Sequence, residues 1–570
     1  MSNLNLKSTK ENSYDAIVIG SGVSGGWAAK ELCEKGLKTL VLERGRDVQH
    51  IKDYPTMYKD PWEFKNRGKI SAEDLKDYEK QDRTGYTTHE RCRHWFVKDT
   101  EHPYYEDKRF DWMRGYHVGG RSIMWGRHSY RWSDLDFEAN AKDGYGVDWP
   151  IRYKDVAPWY SYVEKHVGIS GEALGLAQLP DSEFTPPMEL NCVENHLRGS
   201  LDNKYGRTLT IGRVAHFTGT QARKHRANCQ YRDRCIRGCP FGGYFSSLSS
   251  TLPFAVDTGN MTLRPNSIVH SIRYDENSKK ATGVMVIDSE TKETLEFNAK
   301  VIFVCASSIN SAWLLMNSKS DRFPNGLGND SGELGHNIMD HHLKIGATGV
   351  YDGFQDKYHE SRRPTGFYIP RFRNLDASSE RKDFLRGYGY QGAGSRDDWR
   401  RYVKELSIGL DLKENLMKPG PWTVGMTGFG ECLPYHENHM YLNPDKLDQW
   451  GLPTITFNAE YRENEIAMRK DMKTSAVEML EAAGFKHVEP WEEEQGVGLG
   501  IHEMGTARMG KDPKTSVLNK NNQVHSVSNV YMTDGACMTS AGCQNPSLTY
   551  MALTARACDH AVKELKRGNL

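Results

Sequence analysis

The chain has 570 residues, enough for two to four domain-sized units or one large enzyme with interleaved parts, and either buries a core without covalent staples. Lysine plus arginine equals aspartate plus glutamate at 75 each, so no global field draws it to nucleic acid or to an anionic membrane, and a small uncharged substrate is the simpler expectation. No stretch approaches the roughly 20 apolar residues of a membrane span. The opening MSNLNLKSTKENSYD lacks the apolar centre of a signal peptide, so no export address is expected, and eleven scattered cysteines do not make a complete disulfide framework.

In chain order, YDAIVIG (Tyr14 to Gly20) predicts a short buried strand, Ser24 to Lys35 a helix, and Lys38 to Glu43 a second strand, which together make a βαβ unit. Residues 50 to 110 are polar, aromatic-rich and irregular, the texture of a surface excursion or lid. From Thr262 to Ala306 several runs alternate apolar and polar residues, then the wholly apolar VIFVCA leads into a helix over Ile309 to Met316; a meander is expected to rejoin the first sheet there. Between 345 and 495 long strands (PWTVGMTGFGECL, HMYLNP) and an amphipathic helix over 463 to 484 predict an inserted second domain. The expected class is α/β, α+β overall: a Rossmann-type domain discontinuous over 1–50, 100–170, 210–345 and 495–570, with a lid and substrate domain on an antiparallel sheet from 50–100, 170–210 and 345–495.

After the first strand comes Gly20-Ser21-Gly22-Val23-Ser24-Gly25-Gly26. Gly20 permits the tight turn, Gly22 lets backbone approach a pyrophosphate, and Gly25 lets the helix pack close to the strand with its N-terminus facing the phosphates. Glu43, closing the second strand, can accept from ribose hydroxyls and disfavours a 2′-phosphate. The unit does not separate FAD from NAD, because both carry the same ADP half.

Two late segments bear on that choice: IHEMGTARMG (501–510) and YMTDGACMTSAGCQNPSLT (531–549). A neutral imidazole suits removal of a hydroxyl proton while hydride leaves the carbinol carbon, and an asparagine donates to the same oxygen without competing for the proton. A buried structural histidine and a turn asparagine before proline are the plainer alternatives. With the N-terminal turn, these segments resemble the glucose-methanol-choline oxidoreductase family, which oxidises alcohols and sugars with FAD. The resemblance implies that His502 is the catalytic base and Asn545 its partner, that Asp534 and Gly535 match the segment binding the flavin's ribityl and phosphate chain, that Gly26 of the N-terminal turn is also at the cofactor, and that Pro546 and Thr549 approach the flavin ring. The stretch Gly119-Gly120-Arg121-Ser122-Ile123-Met124 is similar to the family's glycine-rich segment beside that ring, and Met124 stands where relatives with covalent flavin carry histidine, which implies non-covalent FAD.

Cys229, Cys235 and Cys239 form a C-x5-C-x3-C-P arrangement in an expected loop over 225–245. Spacing alone leaves a soft-metal cluster, zinc with His225 as a fourth ligand, and plain structural thiols all open. A subgroup of sugar dehydrogenases within the resembled family carries this spacing and binds a 3Fe-4S cluster. That resemblance implies a dehydrogenase that oxidises a sugar or glycoside, with glucoside 3-dehydrogenase as the specific expectation. His502 would take the proton, hydride would pass to flavin N5, and electrons would leave singly through the three cysteines. It further implies a small subunit and a cytochrome acceptor as partners, and periplasmic placement by co-export with the small subunit, a cytoplasmic enzyme being the other option. Arg223, Lys224, His225, Arg226, Arg232, Arg234 and Arg237 either dock an acidic partner there or are a solvated face. Alternatives are an oxygen-using pyranose or glycoside oxidase, a gluconate 2-dehydrogenase, a flavin electron-transfer module without its own substrate, and a nicotinamide enzyme.

Overall fold

A computed structural model describes residues 12–358, 363–396 and 408–570; part of the segment read for an export signal (1–11), and parts of the expected inserted domain (359–362 and 397–407), lie outside the described residues. The strand Ser13–Ile19 is buried on both faces from Ala16 on, as a continuous apolar run in a parallel sheet must be. It pairs in parallel with Thr39–Leu42 on one side and with Thr294–Val304 on the other. Met261–Arg264 extends the sheet beyond Thr39–Leu42; Val527–Met532 and then Gln523–Val524 extend it beyond Thr294–Val304. Helix Val23–Glu34 crosses over this sheet and packs against the C-terminal helix Ser547–Lys566.

The strand Thr294–Val304 changes role along its length. Its first half pairs antiparallel with Lys280–Asp288 (Leu295 opposite Val286, Phe297 opposite Val284), and its second half pairs parallel with the first strand (Ile302 opposite Ile17). The alternating first half has one solvated face, whereas the wholly apolar second half has none. The meander of Ser267–Asp275 and Lys280–Asp288 thus feeds directly into the parallel sheet, and helix Ser308–Asn317 follows it.

A second, seven-stranded sheet is antiparallel, in the order Lys486–Glu492, Ile345–Tyr351, Trp422–Glu431, Tyr388–Arg396, Phe367–Ile369, Thr210–Ile211, with His341–His342 also pairing Trp422–Glu431. Helix Glu463–Ala482 covers it, burying Met468, Met472, Ala476, Met479 and Leu480 against Trp422, Val424 and Met426. The HMYLNP run takes a different place. As His439–Leu447 it pairs with Pro453–Asn458, which joins Tyr105–Glu106 in a separate three-stranded sheet. An aromatic cluster draws these segments together: Phe457 stacks on Phe110 at 3.9 Å between ring centroids, with Tyr104 and Trp112 edge-on.

The architecture is therefore a Rossmann-type nucleotide-binding fold carrying an antiparallel substrate-side sheet. All eleven cysteines are free thiols. Among the described residues no helix is long and apolar enough to cross a membrane.

Candidate active site

One elongated cavity runs from the first glycine turn to the C-terminal segments. Gly20 sits at φ +98°, and a Cβ on Gly25 would lie 1.9 Å from the Gly20 carbonyl oxygen, so the helix reaches the strand only because residue 25 has no side chain. Gly22 faces open space on the cavity wall, and Gly120, which also lines it, lies close enough that its Cβ would stand 3.4 Å from the Gly22 Cα. Two glycine turns therefore bring bare backbone to one stretch of the cavity, a cradle that suits a pyrophosphate. Gly26 and Gly119 lie behind this surface, packed against Thr251 with Ser247 and against Leu248 respectively.

Glu43 lines the same cavity. Its carboxylate accepts from the Ser21 hydroxyl (2.6 Å) and the backbone amides of Ser21 (3.2 Å) and Gly45 (2.9 Å). Burial raises its pKa, and these hydrogen bonds oppose that shift. Ser122 also lines the cavity, but its hydroxyl donates to the Gly119 carbonyl (2.5 Å) and bonds Ser247, so it braces the second glycine turn. Asp534 and Gly535 lie further along. Asp534 accepts from the Ser311 hydroxyl (2.5 Å) and the Ala536 amide (3.0 Å), and burial pushes its pKa up to about 6. Met124 lines the wall as a thioether.

His502 and Asn545 meet at the far end, with Asn545 Nδ2 3.4 Å from His502 Nε2. The other face of His502 is held by a residue that sequence reasoning missed: His502 Nδ1 lies 2.7 Å from Nδ1 of His341, whose Nε2 donates to the Gly542 carbonyl oxygen at 2.8 Å. Asn545 Oδ1 accepts from the Gln391 side chain (2.7 Å), so the antiparallel sheet reaches the pair through Tyr388–Arg396. Burial, with the positive field of Arg121 added, holds the His502 pKa well below the usual imidazole value, so the ring is neutral and able to take a proton.

The loop presenting His502 is fixed by Asp340, whose carboxylate accepts from the backbone amides of Gly498 (2.8 Å), Gly500 (2.8 Å) and His502 (3.0 Å). Glu503 pairs with Arg121 through two bonds of 2.9 and 2.7 Å, tying the second glycine turn to the same loop. Of the last two expected cofactor residues, Pro546 caps the C-terminal helix and Thr549 is turned away to bond the Tyr160 hydroxyl at 2.7 Å. Ser547 and Tyr550, on the other face of that helix, line the cavity in their place. Ser547 and Tyr550, three residues apart, share one face of the helix, and Thr549 lies on another. Arg121 lay in the quoted glycine-rich stretch, but nothing in the sequence signals its pairing with Glu503.

Cys229, Cys235 and Cys239 line one small pocket together with His216, Tyr231 and Tyr244. Burial pushes the Cys229 thiol up to about 11, and Cys235 and Cys239 add to the shift, so the three groups share one electrostatic environment. The expected zinc alternative fails at His225, which sits at φ +65° and gives its Nε2 to Asp257 at 2.6 Å. Among the described residues no three His, Cys, Asp or Glu side chains converge on a single ion.

A backbone cradle for a dinucleotide at one end and a neutral imidazole beside an amide at the other define a nucleotide-cofactor oxidoreductase. GMC oxidoreductase family models match residues 14–343 and 434–554, and the chain belongs to that family of FAD-dependent oxidoreductases. It is 29% identical to a 2-methyl-1,2-propanediol dehydrogenase of Mycolicibacterium austroafricanum, over 97% of this chain and 96% of that one. It is 26% identical to a fructose dehydrogenase large subunit of Gluconobacter japonicus, over 98% and 99% of the two chains. Its fold matches a formate oxidase structure from Aspergillus oryzae with a TM-score of 0.62 at 15% identity, over 98% of this chain and 100% of the other.

Proposed function

We propose that the protein is a dehydrogenase that oxidises a hydroxyl of a sugar or glycoside to a carbonyl, with glucoside 3-dehydrogenation as the specific reaction. The observation that carries this reading is His502 Nε2 lying 3.4 Å from the Asn545 amide nitrogen at the end of the cofactor cavity. When bound, FAD supplies the two-electron acceptor that takes the carbinol hydride. His502 Nε2 takes the hydroxyl proton, and the Asn545 Nδ2–H donates to the oxygen as negative charge grows on it. Gln391, through Asn545 Oδ1, keeps that amide turned donor-first. Met124 offers no imidazole for a covalent bond to the ring, which supports non-covalent FAD.

Cys229, Cys235 and Cys239 would hold a 3Fe-4S cluster, which accepts electrons one at a time. A cluster takes its thiolates on separate irons and does not need them to converge on one ion. The single pocket shared by the three thiols supports this. So does Arg127, which lines the catalytic cavity and whose guanidinium also acts on Cys235, placing the cysteine loop against the cavity wall. Around that loop Tyr58, Trp62, Tyr231 and Phe241 are exposed among Lys59, Arg232, Arg234 and Arg237, a surface suited to an acidic electron-accepting protein such as a cytochrome. A small companion subunit and periplasmic placement complete the reading.

An anaerobic panel of methyl glucosides, fructose, gluconate and a 1,2-diol, followed by flavin bleaching and product analysis, tests the substrate. Fastest bleaching by a glucoside with a 3-keto product is expected. Fastest bleaching by the 1,2-diol would replace the sugar reading with the alcohol chemistry named for the 29% identical relative. Stoichiometric hydrogen peroxide would make the enzyme an oxidase. Iron and labile-sulfide analysis with electron paramagnetic resonance tests the cluster, and iron-free protein would remove it.

A further inference from the structure

We propose that His341 is a positioning residue for the reaction, selecting the one tautomer of His502 that can act as a base. The inference rests on the reading of His502 as the proton acceptor. The Gly542 carbonyl oxygen can only accept, so His341 Nε2, 2.8 Å away, carries the proton. A neutral imidazole protonated at Nε2 has a lone pair at Nδ1, and His502 Nδ1, 2.7 Å from it, must then be the N–H donor. The lone pair of His502 is left on Nε2, the nitrogen facing the Asn545 Nδ2–H.

The opposite arrangement requires a doubly protonated His341, which would donate from Nδ1 and place the His502 proton on Nε2, where it blocks base action. The surroundings disfavour it. Burial lowers the His341 pKa, and the carboxylates near it are already engaged: Glu431 by Arg386 at 2.6 Å, Glu503 by Arg121 at 2.7 Å, and Asp340 by three backbone amides. The field of Glu431 and the backbone carbonyls of Gly542 and Ala541 oppose that lowering without reversing it.

His341 has a second effect once the substrate O–H bond breaks and its proton arrives at His502 Nε2. The Nδ1–H of the resulting imidazolium then donates to His341 Nδ1 as a charge-assisted bond, which offsets part of the cost of a buried cation. The Gly542 carbonyl oxygen cannot take a proton from His341 Nε2, so the added proton stays within the His502–His341 pair. The hydride that leaves the carbon goes to the bound flavin, so charge and atoms balance.

Nitrogen-15 spectra of histidine-labelled holoenzyme, assigned by loss of the His502 signals in His502→Gln, read the tautomer without any substrate. The expected spectrum has a protonated Nδ1 and a bare Nε2 on His502; a protonated Nε2 with a bare Nδ1 overturns the proposal. In His341→Leu the preference should vanish, and kcat with the panel's fastest glucoside should drop about 10²-fold with KM changed less than about threefold. His341→Asn, whose Oδ1 can accept in place of the imidazole Nδ1, should restore most of both. An unchanged tautomer and rate in His341→Leu would also overturn it, and if that variant does not fold, the wild-type and His341→Asn spectra decide. Absence of bleaching by every panel compound would sink the substrate reading while leaving the spectra to judge His341.

Discussion

The two ends of the central region are built on opposite terms. At the catalytic end both nitrogens of His502, both nitrogens of His341, both heteroatoms of the Asn545 amide and both oxygens of Asp340 have partners within the chain. At the cysteine loop, His216 Nδ1, Arg127 Nε and Arg226 Nη2 are buried without a hydrogen-bond partner, while Tyr231 and Phe241 stand exposed. Orphaned buried polar atoms cost about 1–3 kcal/mol each, so a fold tolerates a cluster of them chiefly where function requires it. The His502–Asn545 pair is held by protein atoms alone, whereas the cysteine loop keeps unpaired polar atoms that the proposed cluster and its partner would meet.

The largest blow to the catalytic side of this comparison is His502→Ala. It should slow substrate-dependent flavin reduction about 10³-fold in stopped-flow measurements while FAD stays bound; retained turnover would assign the base elsewhere. Asn545→Ala follows at about 10²-fold, acting on the rate of reduction more than on KM, because the amide strengthens its bond only as charge develops on the substrate oxygen.

The cysteine side is tested by an effect that should be small. Cys235→Ser should lower bound iron and block reduction of a one-electron acceptor, yet leave flavin reduction by substrate within about twofold, since Cys235 is not among the residues lining the catalytic cavity. Coupled loss of both would mean the two ends are one unit.

A smaller effect comes from pH. Burial lowers the pKa of His50 to about 4, of His94, His128 and His166 to about 3, and of His102 to about 2. The unfolded chain protonates these groups near pH 6.5 while the folded chain does not, so stability must fall as pH drops from about 6.5 towards 4. Asp136 and Asp340, raised to about 7 by burial, work in the other direction: the folded chain holds protons there that the unfolded one releases above about pH 4. The histidines outnumber them, and calorimetric scans should show the melting temperature declining by several degrees on the acid side. A flat profile would mean that the buried imidazoles are hydrated.

Local pattern carried much of this protein. The βαβ unit was legible because Ser13–Ile19 and Thr39–Leu42 are short apolar runs around a glycine turn, and a close approach needing glycine at 25 leaves a mark in one residue. The half-alternating, half-apolar strand Thr294–Val304 announced its own change of partner. What stayed hidden involves groups distant in sequence. HMYLNP reads as a strand but does not say which sheet it joins, because aromatic contacts with residues 104–112 decide that. Thr549 shares a motif with Asn545, yet the phase of one helix turns it to Tyr160 and gives the cavity Ser547 and Tyr550 instead.

The sequence by itself determined a nucleotide-binding fold and the identity of its two chemical groups, since glycine, histidine and asparagine each bring properties no neighbour has to supply. Only the tertiary structure decided how they act. A histidine's tautomer is set by what its other nitrogen meets, and His341 lies 161 positions from His502, in a short strand of the antiparallel sheet. Such a contact has no local signature, because it exists only once the loop carrying His502 has packed against that sheet.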